Sequence, residues 1–315
     1  MENQDIIEIK GINKTYKNGK KRIQALKNVN LIIHKGEIFG ILGQNGAGKT
    51  SLINIMSTLL IPDSGNIKVF GIDALKEPNK VRDITGYAGQ DSEKSAFFRL
   101  TVFENLLFFA YAFRKVSKTE IKKNIKDLAK KMRFEKKLDK QFSTLSGGEK
   151  QTTIILRSII HNPKLCFMDE PSKSLDPVTA KRFRGVIKEL VRKTGMTIVL
   201  TTHNMQEAEE LCDRIAFIKN GKIKFVGSTD EFRKSVGYTE KIIVYTAPDK
   251  KLAKKILSIK NIISFKLEPN SMIFYTNNIE KTTDKVFKLL RENRINAKIS
   301  IRSVTVEDAF VEMMK

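Results

Sequence analysis

The stretch GQNGAGKTS, at 43–51, constrains this chain more than any other. It places Gly43, Gly48, Lys49 and Thr50 in the spacing G-x4-G-K-[ST], directly after the apolar run EIFGILG and directly before the helical pattern of KTSLINIMSTLL. A buried strand that feeds a helix through a glycine loop is a βα unit. The chemistry requires that order. Glycines let backbone N–H groups curl around phosphate oxygens, and the helix opening at Lys49 aims its positive dipole end at them. Lys49 is then placed to reach the β- and γ-phosphates of a nucleotide, and the Thr50 hydroxyl to take a coordination place on Mg2+.

LCFMDEP, at 165–171, is the expected second half. A buried strand ends there in Asp169, placed to hold Mg2+ through water, and in Glu170, placed to polarise an attacking water. Further apolar runs at 165–168 and 197–201 sit beside helical segments, so the main body is α/β with a largely parallel sheet. Residues 5–33 alternate over IIEIKGI and RIQALKNVNLII around the polar turn KNGKK and read as strands. From 102 to about 160 the pattern reads as helical throughout, with a capping box where Ser117 precedes Glu120.

The pattern resets near 237. Strand 241–247, helix 251–259, strands 262–268 and 271–276, helix 281–292, strand 297–303 and a last helix give the order βαββαβ of a ferredoxin-like domain. The last helix starts at Thr305, with Asp308 three residues on, and sets Val306, Ala309, Phe310 and Met313 along one stripe. The expected domains are therefore 1–236 and 237–315, with a helical subdomain at about 95–160 inside the first.

Composition narrows the class. No apolar run reaches the roughly 18 residues that cross a bilayer, and MENQDIIEIK has no secretory pattern, so the chain is expected inside the cell. Cys166 and Cys212 lie in apolar runs with no metal or redox spacing and read as buried, reduced thiols. The 58 Lys+Arg against 35 Asp+Glu give +23, which suits nucleic acid, the anionic face of a membrane, or simply a solvated surface. KTEIKKNIKDLAKKM, with Ile121, Ile125, Leu128 and Met132 on one face and lysines on the solvated other, illustrates the last reading, which stands beside that of a specific anionic surface.

LSGGEKQ, at 145–151, is a second glycine turn with no lysine placed to hold a phosphate. Taken with the phosphate loop and DEP, it makes residues 5–230 resemble the nucleotide-binding subunit of an ABC (ATP-binding cassette) transporter. The resemblance implies a P-loop ATPase domain with an antiparallel β subdomain and a helical subdomain, working with ATP and Mg2+. Two copies, or this chain and a related ATPase subunit, would pack head to tail, with Ser146, Gly147 and Gly148 of one binding the γ-phosphate held on the other's Lys49 loop. A hydroxyl and flexible backbone at a helix start make a sound anion site.

The same resemblance carries over position by position. Gly43, Asn45, Gly46, Gly48, Lys49, Thr50 and Ser51 would bind the nucleotide. Tyr16 would stack on adenine. Gln90, in GYAGQDS, would sense Mg2+ and the attacking water, joining Thr50 and Asp169 at the metal. His203, in TTHNMQEAE, would contact the γ-phosphate beside the base Glu170, and Asp176, in SLDP, would communicate across the dimer. His34 and His161 match nothing and are expected at the surface. Thr152 in place of arginine, Gly89 in place of proline and Lys173 in place of a small residue depart from the family pattern.

The implied function is ATP hydrolysis that drives a separate integral membrane permease from the inner, cytoplasmic face of the cell membrane. SVTVEDAFVEMM resembles the tails of drug-, antibiotic- and polysaccharide-exporter ATPases, so export is the first expectation. A methionine-importer-like ATPase with a ligand-sensing ferredoxin-like tail is the alternative. A soluble cassette acting on ribosomes or nucleic acid is another, but the short gap from Gln90 to Ser146 leaves no room for a long coiled coil, and no aromatic-basic motif points to nucleic acid. The stretch after Gln90, with Phe97, Phe98 and Leu100, is where the family docks its permease; those side chains suit either docking or a core.

Overall fold

The computed structural model describes residues 4–19, 21–111 and 117–314, with the side chains of Asn18, Lys21, Gln90 and Asp91 left aside. The chain divides into two compact units, Met1–Ser228 and Thr229–Lys315.

In the first unit, β1 (Asp5–Asn18) and β2 (Lys21–His34) form an antiparallel ribbon. The buried β3 (Ile38–Leu42) runs into the glycine loop that opens α1 (Lys49–Met56). β4 (Ser64–Val69), β5 (Ile72–Asp73), α2 (Pro78–Arg82) and β6 (Thr85–Ala88) follow. Then come the helices α3 (Val102–Tyr111), α4 (Lys118–Met132) and α5 (Gly147–Ile159). β7 (Leu165–Asp169), α6 (Pro177–Thr194), β8 (Thr197–Thr202), α7 (Met205–Leu211), β9 (Arg214–Lys219) and β10 (Lys222–Ser228) complete it.

Two sheets result. One is antiparallel, in the order β2-β1-β4-β5; the other runs β10-β9-β3-β8-β7-β6, parallel except for the edge strand β10. Strands β3, β7 and β8 are buried at every position, as expected of parallel strands covered on both faces. Helix α1 packs between the sheets, its Leu52, Ile53 and Met56 joining Ile9, Leu26 and Leu31 of one with Phe39, Phe167 and Val199 of the other in a single core. Burial of each such side chain stabilises the unit by about 1.5–3 kcal/mol. The β9–β10 hairpin turns on Asn220 and Gly221, both at positive φ (52° and 76°), which matches the twist of the flanking strands.

Residues 102–160 are not helical throughout. Helix α4 stops where Arg133 takes a left-handed φ of 52°, and between it and α5 there are only the short turns Glu135–Lys137 and Phe142–Thr144. At the start of α4 only half of the expected capping box forms, the Ser117 hydroxyl accepting from the Glu120 N–H at 3.2 Å. The complete box is at the start of α5, where Ser146 and Glu149 cap each other's N–H groups.

The second unit holds α8 (Thr229–Lys234), β11 (Glu240–Tyr245), α9 (Lys250–Leu257), β12 (Ile262–Glu268), β13 (Ser271–Thr276), α10 (Ile279–Glu292), β14 (Lys298–Ser303) and α11 (Val306–Met314). Its antiparallel sheet has the order β12-β13-β11-β14, that of a ferredoxin-like βαββαβ unit. Alternation along β11 and β13 sends Ile242, Val244, Met272 and Phe274 to the core shared with α9 and α10, and Ile243, Ile273 and Tyr275 to the opposite face. Thr305 and Asp308 cap α11 reciprocally, at 2.9 and 3.2 Å. Burial pushes the Asp308 carboxyl up, but the Lys241 ammonium and the Thr305 N–H outweigh it and hold it below its usual range. The break between units falls after Ser228 rather than at 236/237, because α8 packs with α11.

Candidate functional site

Neighbouring strands of the parallel sheet bring distant segments to one edge. β3 delivers the glycine loop, β7 ends in Asp169 followed by Glu170, and β8, lying between them, ends at Thr202 followed by His203. A ligand site at the carboxyl ends of such strands is the rule for open α/β sheets. A cavity of ≈ 570 Å³ opens there. The loop side is lined by Gln44, Asn45, Gly46, Gly48, Lys49, Thr50 and Ser51, and the strand ends add Glu170 and His203.

The loop geometry is built for close backbone approach. Gly48 has φ 110°, and a Cβ there would stand 2.5 Å from the Ala25 carbonyl oxygen, so only glycine fits. Lys49 is buried, and its Nζ donates to the carbonyls of Gly43 at 2.8 Å and Gln44 at 3.2 Å, with Glu170 Oε1 3.6 Å away. The other oxygen of Glu170 lies 2.5 Å from His203 Nδ1. Asn204, the next residue, caps α7 through the Glu207 N–H at 3.1 Å, and its own N–H donates to the Thr202 hydroxyl at 2.9 Å, which steadies the loop carrying His203.

Thr50 Oγ1 donates to Asp169 Oδ1 at 3.4 Å. Two hard oxygens side by side, with no cluster of three or more His, Cys, Asp or Glu side chains among the described residues, suit Mg2+, which takes one or two carboxylates and fills its sphere with phosphates and water. The side chain of Gln90, the third expected metal residue, lies outside the described residues; its backbone starts the turn Gln90–Glu93.

The antiparallel sheet supplies the far wall. Tyr16 of β1 and Ile23 and Ala25 of β2 line the cavity, and the Tyr16 hydroxyl pairs with Ser51 Oγ at 3.0 Å. The exposed Tyr16 ring presents a flat apolar surface to the cavity, with Ile23 paired beside it. Ile23, Ala25 and Lys173 were not anticipated as lining residues. Tyr16 and Ile23 come side by side through the β1–β2 register, with Ala25 two residues further along β2, a pairing that the sequence does not display.

Ser146, Gly147, Gly148 and Asp176 do not line this cavity. Ser146 N donates to Glu149 Oε2 at 3.0 Å and Ser146 Oγ accepts from Glu149 N at 3.3 Å, leaving the hydroxyl proton to point elsewhere. Lys137 first, then the Ser146 N–H, hold the Glu149 carboxyl below its usual range, which keeps that cap charged. Asp176 caps α6 through Val178 N and Thr179 N at 3.0 and 3.1 Å. The glycine loop thus lines the cavity, and the Ser146 turn, with its hydroxyl proton unused by the cap, is not among the lining residues.

His161 is not at the surface. It is buried after α5, its Nε2 3.3 Å from the Thr85 carbonyl, and burial lowers its pKa to about 4. His34 is half-buried and faces Asp5 at 2.8 Å. Both cysteines are buried, and burial pushes the Cys166 thiol up to about 12.

Comparison with known proteins follows the same lines. The ABC transporter family profile matches residues 26–173. The ATP-binding protein NatA of Bacillus subtilis is 33% identical over 232 residues, 73% of this chain and 92% of that protein. The methionine import ATP-binding protein MetN 1 of Oceanobacillus iheyensis is 35% identical over 269 residues, 83% of this chain and 74% of its own. Other relatives described as methionine import ATP-binding proteins are matched over 64–70% of their length. Among solved structures, an ATP-binding cassette captured as a dimer after hydrolysis, with ADP and Pi, superposes with a TM-score of 0.65 at 29% identity, covering 71% of this chain and 98% of that one.

Proposed function

The chain belongs to the ABC transporter ATP-binding family, and from that premise we propose that it is one half of an ATP-clasped pair in which Glu170 is the hydrolytic base and the Ser146 turn completes the other half's site. ATP hydrolysis with Mg2+ is the activity of that family, and its ATPase subunits pair and work on a separate membrane permease. The observation that carries the reading is the contact of Glu170 with both Lys49 and His203 inside the cavity, while the Ser146 turn is not among the residues that line it. In this reading one copy supplies the base and the cradle, and the Ser146 turn of the other copy supplies the remaining anion donors.

In this reading Lys49 leaves the Gly43 and Gln44 carbonyls for the phosphates, and Tyr16 stacks on the base. Thr50, Asp169 and Gln90 would hold Mg2+, which would supply charge neutralisation at the phosphates. Glu170 takes a proton from the attacking water, and His203, its Nδ1–H directed at Glu170, turns Nε2 to the γ-phosphate. Asp176 and the Ser146 turn meet the neighbouring copy. Loss of the γ-phosphate removes the anion that holds the two copies together, so opening follows hydrolysis.

For direction and cargo, the relatives support the import alternative over the export expectation, since most of those compared are methionine import ATP-binding proteins. We therefore favour a methionine-importer-like subunit whose ferredoxin-like unit senses the cargo. In this reading the permease supplies the membrane path and this chain sits on its cytoplasmic side; no helix among the described residues is long and apolar enough to cross a membrane. Phe97 and Phe98 are both more than two-fifths exposed, which favours the docking role over the core role for this pair. Affinity isolation from detergent-solubilised membranes tests the partner, and recovery of an integral membrane protein is expected. Titration of L-methionine against ATPase activity of that complex tests the cargo: inhibition is expected, and an unchanged rate returns the export reading.

A further inference from the structure

Strands β7 and β8 run in parallel register with Thr201 directly opposite Asp169. Thr201 is fully buried, and its hydroxyl is used twice. It donates to Asp169 Oδ1 and accepts from the Glu170 backbone N–H at 3.0 Å. That N–H also reaches the Thr201 carbonyl at 3.1 Å. Glu170 itself has φ 52°, a left-handed conformation that a side chain of this size holds only where its surroundings impose it.

We infer that Thr201 is a positioning residue for hydrolysis, its hydroxyl setting the angle at which the two adjacent carboxylates diverge. Asp169 is turned toward Thr50, 3.4 Å away, and Glu170 toward Lys49 and His203, 3.6 and 2.5 Å away. Consecutive side chains on an extended strand would point to opposite faces; the left-handed turn at Glu170 is what brings the second carboxylate to the same edge as the first. A hydroxyl is suited to this because it donates and accepts at once, whereas valine has the same shape with neither capacity. The bland reading, a β-branched residue filling a strand position, accounts for the burial but not for both bonds falling on the two residues that carry the chemistry. The inference rests on the proposed roles of Asp169 and Glu170.

The test compares Thr201→Val, Thr201→Ser and Glu170→Gln in the full chain, measuring kcat and KM for ATP and the affinity for Mn2+ in the presence of ATP by electron paramagnetic resonance. Thr201→Val is expected to lower kcat about 10- to 100-fold, the range of a hydrogen bond to a charged group, with KM unchanged and Mn2+ held more weakly. Thr201→Ser restores both. Thr201→Ala supplies the same comparison if the valine chain does not fold. An unimpaired Thr201→Val beside a stalled Glu170→Gln overturns the inference alone, as does a serine variant that falls as far as valine. Full turnover in Glu170→Gln removes the base on which the inference rests.

Discussion

His203 and Glu170 meet at the edge of the parallel sheet, imidazole Nδ1 2.5 Å from carboxylate Oε2, although the chain separates them by 33 positions. The contact orients both: the carboxylate accepts, so the ring nitrogen donates, and the imidazole lines the cavity. With Lys49 Nζ 3.6 Å from its second oxygen, Glu170 is held from two sides.

That arrangement makes Glu170→Gln informative. Glutamine keeps the size and much of the hydrogen bonding but accepts no proton. ATP binding is expected to persist while hydrolysis slows by about 10²- to 10⁴-fold, the usual worth of general-base assistance. Size-exclusion chromatography with ATP should then recover a stable dimer, and unchanged turnover would exclude Glu170 as the base.

Two glycines of the phosphate loop separate conformational from steric cost. Gly48→Ala places a Cβ against the Ala25 carbonyl at 2.5 Å and also strains φ, whereas at Gly46, with φ 78°, a Cβ meets nothing within 4 Å. Gly46→Ala is expected to cost about 1–3 kcal/mol of stability from the dihedral alone. Gly48→Ala should cost more and abolish nucleotide binding. Thermal unfolding together with a fluorescent ATP analogue measures both.

His161 sets a pH dependence. Burial lowers its pKa from 6.5 to about 4, so between those values the unfolded chain binds the proton and the folded chain does not. The stabilisation is present in full above pH 6.5 and is lost as pH falls through about 4. Denaturant midpoints measured across that window should fall with pH in the unmodified chain and fall less steeply in His161→Gln; parallel curves would deny His161 the effect.

Phe98→Asp addresses the permease contact. The Phe98 ring is nearly half exposed yet stacks edge-on against Phe142 at 5.7 Å, with Lys150 5.7 Å above it. Permease recovery from membranes is expected to drop while the ATPase activity of the isolated chain persists. Equal loss of both would assign Phe98 to the core of the helical region.

Much of this was readable beforehand. The strand–glycine–helix order at 37–60 and the seven alternating segments from 240 onward announced themselves through period and turn chemistry, both short-range properties. Residues 133–146 did not, because Phe134, Leu138, Phe142 and Leu145, all buried, fall at the spacing of a helix although the chain there forms only short turns. His161 was misjudged because nothing local marks a histidine that a neighbouring strand, β6, covers. Thr201 passed for one more strand residue, since a hydroxyl in VLTTH declares its partners only when β7 lies alongside.

The amino-acid order by itself determined which segments carry phosphate-binding and metal-binding chemistry, because a glycine loop and a strand-end carboxylate act through backbone geometry within a few residues. Only the tertiary structure decided which of those segments share one cavity. Strand order places β8 between β3 and β7, and pairing across strands, not distance along the chain, brings Lys49, Glu170 and His203 together. The Ser146 turn, at the head of α5, does not line that cavity, which no local feature of LSGGEKQ could have indicated.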